Sequence, residues 1–212
     1  MIEQLLRDGT VVSRTDGNEH TLAPIAITAQ EGEALRECVV RERAVQTIEV
    51  GLAYGISALF VCEGLAINGD ERARHTVIDP HQARSFSNCG LQVLDDAGFT
   101  PRLDVYAEES QRALPRLLED ERRFDLAVLD ANHRFDAVFV DLVYLGRLLR
   151  PGAVVFLDDY QLPGVARASS FFVTNVGWRI ESVSAPDALH QWAVLRTPTT
   201  PDTRPFDAFV DF

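Results

Sequence analysis

The sequence is poor in sulfur, with one methionine and three cysteines in 212 residues. Cys38, Cys62 and Cys89 lie far apart and match neither a C-x-x-C pair nor a zinc-ligand spacing. They read as reduced, mostly buried thiols, not as a disulfide framework. Positive charge is scarce as well. Twenty scattered basic residues face 32 acidic ones, and the net charge of −12 argues against a phosphate-tracking surface, so no nucleic-acid partner is expected. No apolar run approaches the roughly 20 residues that cross a bilayer. The opening MIEQLLRDG carries acids where a signal peptide would be basic and then apolar, so a soluble, cytoplasmic protein without membrane association is expected. What is present is 46% hydrophobic residues, enough for one sizeable core and hence one domain.

Short apolar runs alternate with helical spacing along most of the chain. Ile2, Leu5 and Leu6 begin a short helix, Asp16-Gly17-Asn18 reads as a turn, and Ala29 to Arg43 as a helix with Leu35, Val39 and Val40 on one face. Strands are expected at 47–50, 76–79, 103–106, 126–129 and 153–157, with helices at 56–67, 82–97, 110–118 and 135–149 between them, the last broken by Pro151-Gly152. That rhythm implies right-handed βαβ crossovers and a parallel sheet covered on both faces. Trp178 to Val183 and Gln191 to Leu195, joined through Ala185-Pro186-Asp187, break it and read as an antiparallel hairpin at the sheet edge. The expected organisation is one domain over 1–196 with a helical N-terminal extension (1–43), followed by a Thr/Pro linker and aromatic tail at 197–212.

In an open parallel sheet, ligands bind beyond the carboxyl ends of the strands. Here those ends carry Glu49, Asp79, Glu108 or Glu109, Asp130, Asp158 and Asp159. The segment Glu49 to Ser57, E-V-G-L-A-Y-G-I-S, lets backbone approach a ligand where a side chain would collide. It lacks the third glycine of a dinucleotide fingerprint and the lysine of a P-loop, which disfavours pyrophosphate; on its own, a plain strand-to-helix turn explains it as well. Asp79 stands 24 residues after Gly55, where a carboxylate accepts from a ribose diol; a solvated strand-end acid is the bland alternative. Asp130-Ala131-Asn132-His133 and Asp158-Asp159 end two strands that, as neighbours about 4.8 Å apart, bring three carboxylates onto one hard cation. Oxygen donors without clustered cysteine suit Mg²⁺ or Mn²⁺; helix caps or solvated acids are the alternative.

Together these residues resemble the class I S-adenosylmethionine-dependent methyltransferases, and among them the metal-dependent small-molecule O-methyltransferases that include catechol and antibiotic-sugar methyltransferases. The likeness runs from about Thr47 to Arg196. Glu49 to Ser57 matches the family's E-x-G-x-x-x-G-x-S loop, Ile78-Asp79-Pro80 its ribose-binding strand end, and Ser110-Gln111 with Leu114-Pro115 the segment facing the adenine. Phe124 to His133, with Asp141 downstream, is similar to the f-D-x-x-x-x-D-G-x-H pattern of the sugar-methylating branch, with Ala131 in place of glycine and Asn132 where some members carry an acid.

The resemblance implies a Rossmann-like α/β fold with a seven-stranded, mostly parallel sheet of order 3-2-1-4-5-7-6. It also implies S-adenosylmethionine held by Glu49, Gly51, Ala53, Tyr54, Gly55, Ser57, Asp79, Ser110, Gln111 and Asp130, and Mg²⁺ or Mn²⁺ on Asp130, Asp158 and Asp159. His133, three residues after Asp130 and with an ordinary pKa near 6.5, is the candidate proton acceptor; capping the next helix is its structural alternative. The expected reaction is methyl transfer to a hydroxyl of a small molecule. A metal-independent N-methyltransferase and a non-catalytic S-adenosylmethionine-binding protein are the competing readings. Phe206, Phe209, Val210 and Phe212 carry too much apolar surface to stay in water, so the tail is expected to dock on its own core, on the rim of the site or on a second subunit in a homodimer.

Overall fold

A computed structural model describes residues 1–212. Nine strands form a two-stranded hairpin and a seven-stranded sheet, and the chain also holds eight α-helices. Helix α1 (Ile2–Asp8) leads into the hairpin β1 (Thr10–Val12) and β2 (Glu19–Thr21), whose turn holds Asp16-Gly17-Asn18. The N-terminal extension is therefore not purely helical. Helix α2 (Ala29–Arg41) starts at Thr28, whose side chain caps the amide of Glu31 at 3.2 Å.

The parallel sheet is built from β3 (Gln46–Val50), β4 (Arg74–Ile78), β5 (Leu103–Tyr106), β6 (Phe124–Leu129) and β7 (Leu149–Leu157). The antiparallel strands β8 (Arg179–Val183) and β9 (Ala193–Arg196) complete it, in the order β5-β4-β3-β6-β7-β9-β8. Counting only the sheet strands, this is the expected 3-2-1-4-5-7-6. Successive residues of a strand point to opposite faces. Leu126, Val128, Val154 and Phe156 accordingly enter the core with α2, α3 (Ile56–Asn68) and α5 (Cys89–Asp96). Ala127, Leu129, Val155 and Leu157 enter the opposite core with α6 (Ser110–Glu119), α7 (Phe135–Leu148) and α8 (Pro163–Val176). All three cysteines are free and buried, and no helix is long and apolar enough to cross a membrane.

Several boundaries differ from the sequence reading. The helix expected over 82–97 is two, α4 (Gln82–Ser85) and α5, because Ser87 and Asn88 adopt positive φ of 47° and 58°. Strand β7 begins at Leu149, so Pro151-Gly152 lies inside it, where its pairing with β6 shifts register. Helix α8, unassigned from sequence, returns the chain from β7 to β8. The tail crosses back over α8: the Asn175 side chain pairs both backbone groups of Val210 (2.7 and 2.8 Å), and Phe212 packs edge-on to Phe171 at 5.2 Å beneath Arg167. Phe206 stays fully exposed.

Candidate active site

Strand order reverses between β3 and β6, and the crevice opens at their carboxyl ends. Register sets what faces it. Val50 pairs with Ile78 and Leu129, and Leu129 with Leu157, so Gly51, Asp79, Asp130 and Asp158 emerge abreast. Gly51 has φ of 97°, and a Cβ there would collide with the Asp130 carbonyl, so only glycine permits this junction.

Asp79 is the organiser of the glycine turn. Its Oδ2 accepts the amides of Leu52 (3.1 Å) and Ala53 (2.9 Å) and Gln82 Nε2 (2.9 Å), and its Oδ1 accepts the His81 amide at 2.6 Å. Two carboxylate oxygens offer about four acceptor sites, so Oδ1 retains capacity for one more donor. Gly51, Ala53, Asp79, Ser110, Gln111 and Asp130 line the cavity, whereas Glu49, Tyr54, Gly55 and Ser57 are buried behind its wall. Glu49 is fully enclosed: it accepts from the Ser57 hydroxyl and faces His75 Nε2 at 2.8 Å, while His75 Nδ1 meets Thr47 Oγ1 at 2.9 Å. Tyr54 packs edge-on to Phe86 at 5.2 Å.

On the other side of the crevice, Asp130, His133, Asp158 and Asp159 converge. His133 Nε2 lies 3.5 Å from Asp130 Oδ1, and its Nδ1 lies 3.3 Å from Asp159 Oδ2. The Asp130 carboxylate raises the proton affinity of His133 above the ordinary imidazole value, against the opposing effect of burial. Asp159 adopts a positive φ of 50°, in the left-handed region. Sequence reading missed two neighbours. His190, from the loop between β8 and β9, places Nδ1 3.4 Å from Asp159 Oδ1. Glu31, on the first turn of α2, is buried against Asp158: burial first, then the contact with Asp158, pushes its carboxyl up to about 9. Burial and the Asp130 charge push Asp158 to about 8.

Both Glu31 oxygens, Asp158 Oδ1 and His133 Nε2 are buried without a hydrogen-bond partner. Facing carboxylates lack a donor between them, so a shared proton or a cation must offset their repulsion. Two donor sets, Asp130/His133/Asp158 and Asp158/Asp159/His190, each have their ligand atoms within 4.8 Å of one another. The residues present therefore fit a divalent cation.

One cavity of about 510 Å³ joins the glycine turn to this acid cluster. Six acids line it (Asp79, Glu109, Asp130, Asp141, Asp158 and Asp159), and no lysine or arginine does. Asp141 of α7 is buried, its Oδ1 lacks a partner, and burial pushes its pKa up to about 6. Pro24 and Ile25, ahead of α2, close one wall.

Residues 48–160, more than half of the chain, match the family described as a methyltransferase domain. The chain belongs to the methyltransferase domain family. The matched span of the methyltransferase domain holds the glycine turn, Asp79, Ser110, all three clustered aspartates and His133, but neither Glu31 nor His190. Among relatives, tricin synthase 2 of Oryza sativa subsp. japonica is 30% identical over 145 residues, covering 67% of this chain and 47% of that protein. Tapetum-specific methyltransferase 1 of Arabidopsis thaliana is 28% identical over 155 residues, covering 73% of this chain and 61% of that one. The chain thus spans about half the length of the curated relatives it matches. Among solved structures, the O-methyltransferase TomG of Streptomyces achromogenes, crystallised with S-adenosylmethionine, superposes with a TM-score of 0.71 at 20% identity, covering 84% of this chain and 83% of that one. At that identity the likeness establishes the fold.

Proposed function

We propose that the chain is an S-adenosylmethionine-dependent O-methyltransferase acting on a hydroxyl of a small molecule, with Mg²⁺ or Mn²⁺ at Asp130, Asp158 and Asp159. The observation that carries this reading is the single cavity in which a glycine turn opens directly onto a buried acid–histidine cluster. Six acids with no lysine or arginine among the lining residues disfavour phosphate-rich ligands and suit a sulfonium-bearing cosubstrate and a divalent cation.

On this reading Gly51 and Ala53 offer backbone to the nucleoside, and the spare acceptor site on Asp79 Oδ1 takes one ribose hydroxyl. Glu49 and Ser57 act through the turn, as its internal brace, and do not touch the ligand. Ser110 and Asp141 face the opposite end, where the unpartnered Asp141 Oδ1 accepts a ligand N–H. A cation bound to the aspartates would lower the pKa of an acceptor hydroxyl. Methyl transfer breaks the sulfur–methyl bond and forms the oxygen–methyl bond, and the chain's work is to align the two reacting atoms near contact. The hydroxyl proton passes to His133, whose basicity Asp130 raises.

The test is dialysis of the protein against chelator, followed by methyl-donor consumption across vicinal diols, catechols and sugar hydroxyls with and without added divalent cation. Turnover that returns with the cation is expected. Equal turnover of these hydroxyl acceptors in excess chelator would refute the metal reading while keeping O-methylation, whereas metal-independent turnover confined to amine acceptors would favour an N-methyltransferase, for which the acid cluster has no use. Cofactor binding without turnover on any acceptor would favour a non-catalytic binding protein.

A further inference from the structure

The acid cluster is flanked by a residue from outside the matched domain span. Strand β9 runs antiparallel to β7 with Ala193 opposite Leu157, so the loop preceding β9 arrives beside Asp158 and Asp159. It is anchored there by hydrogen bonds. The Tyr160 amide donates to the Gln191 carbonyl (2.7 Å), the Gln191 amide to Gln161 Oε1 (2.8 Å), and Gln161 Nε2 to Asp159 Oδ1 (2.7 Å). His190, adjacent to Gln191, is thereby fixed against the carboxylate of Asp159.

We propose that His190 is a direct ligand of the divalent cation, and that its nitrogen gives this site a preference for imidazole-accepting ions such as Mn²⁺, Fe²⁺ or Co²⁺ over Mg²⁺. The inference rests on the cation-site reading above and adds a donor to it. The ligand atoms of Asp158, Asp159 and His190 lie within 4.8 Å of one another, close to the roughly 4–4.5 Å separating ligands on opposite sides of one ion. Asp158 is 4% exposed and Glu31 1% exposed, and their unpartnered oxygens are a second observation that calls for a cation or a shared proton at this place. Asp159 Oδ1 already accepts from Gln161, so the imidazole is not required to hold that carboxylate in place. A second imidazole, His133, borders the other oxygen of Asp159. Mg²⁺ is a hard ion served by oxygen and water, whereas imidazole donors suit the transition ions.

The experiment titrates the intact, chelator-stripped 212-residue chain with Co²⁺, read by its visible absorption, and separately with Mg²⁺ by calorimetry. A Co²⁺ preference alone decides nothing, because most nitrogen and oxygen sites favour it. The decisive comparison is His190→Ala. Its Co²⁺ affinity should fall about tenfold or more with a changed absorption band, its Mg²⁺ affinity should change far less, and added imidazole should restore the band. Retained Mg²⁺ binding reports that the variant is folded; if it is lost, His190→Asn is measured in the same way. Identical Co²⁺ affinity and spectrum in wild type and a folded variant would overturn the role of His190. Absence of divalent binding by the wild type, or binding indifferent to Asp158→Asn, would instead overturn the cation site itself.

Discussion

In chelator, Glu31→Gln should stabilise the chain, by an amount that grows with pH. Glu31 is buried against Asp158, and its carboxyl is raised from 4.5 to about 9. In the unfolded chain it ionises near 4.5, so above that pH the folded state must take up or retain a proton that the unfolded state has released. A raised folded pKa means that this group's stability is fully present below about pH 4.5 and is lost as pH climbs toward 9. The loss is about 1.4 kcal/mol per pH unit, so at about pH 7.5 it reaches about 4 kcal/mol, an upper figure because Glu31 and Asp158 share part of the penalty. Glutamine is neutral throughout, and its amide can donate to the unpartnered Asp158 Oδ1. Urea denaturation of both proteins in chelator at about pH 5, 6.5 and 8 measures the difference. Under about 1 kcal/mol is expected at the lowest pH, widening by about 1.4 kcal/mol per unit. With saturating divalent cation the gap should shrink, because the ion's charge favours the ionised pair. A stability difference that stays the same at all three pH values would refute the reasoning.

Asp79→Ala should weaken binding of S-adenosylhomocysteine by roughly 1.5–3 kcal/mol, because it removes both the turn's anchor and a ligand acceptor; unchanged affinity by calorimetry would remove Asp79 from the site. Truncation after Thr200 removes the Val210 pairing with Asn175 and the Phe212 contact with Phe171. It should cost about 1–2 kcal/mol and lower Tm by several degrees, and a truncated chain with unaltered melting and light-scattering mass would show the tail to be idle. Asp159→Ala should abolish cation-stimulated turnover while leaving cofactor affinity largely intact, and a variant that still responds to added cation would exclude Asp159 as a ligand.

What was legible in the sequence followed from local rules. The alternation of apolar runs and helical spacing marked each parallel strand, because strands buried on both faces read as continuous apolar segments. The acids then stood out by falling just past those strands. Their convergence needed only the strand order, since register sets Gly51, Asp79, Asp130 and Asp158 side by side. The misplaced helix boundary has a local cause too. Ser87 and Asn88 adopt positive φ within an otherwise helical pattern, a backbone choice that no periodicity reveals. Glu49 and Ser57, expected from the turn's motif to hold the cofactor, bond each other while Glu49 also faces His75, an arrangement that the motif does not announce.

Glu31 and His190 were illegible for a different reason. Neither follows a parallel strand: one sits on the first turn of α2 and the other in an edge hairpin, more than 150 residues apart in sequence. Their approach to Asp158 and Asp159 depends on α2 packing over the sheet and on β9 pairing with β7, both long-range events. Glu31 also carried the wrong apparent signal, since an acid in the first turn of a helix is explained by the helix dipole alone. Only burial distinguishes it: a dipole-serving glutamate remains in water, whereas this one has given up its hydration and gained no donor. Such a cost calls for an explanation, which the proposed cation would supply, and substitution of Glu31 or His190, both outside the matched domain span, would therefore best separate this site from a bare methyltransferase scaffold.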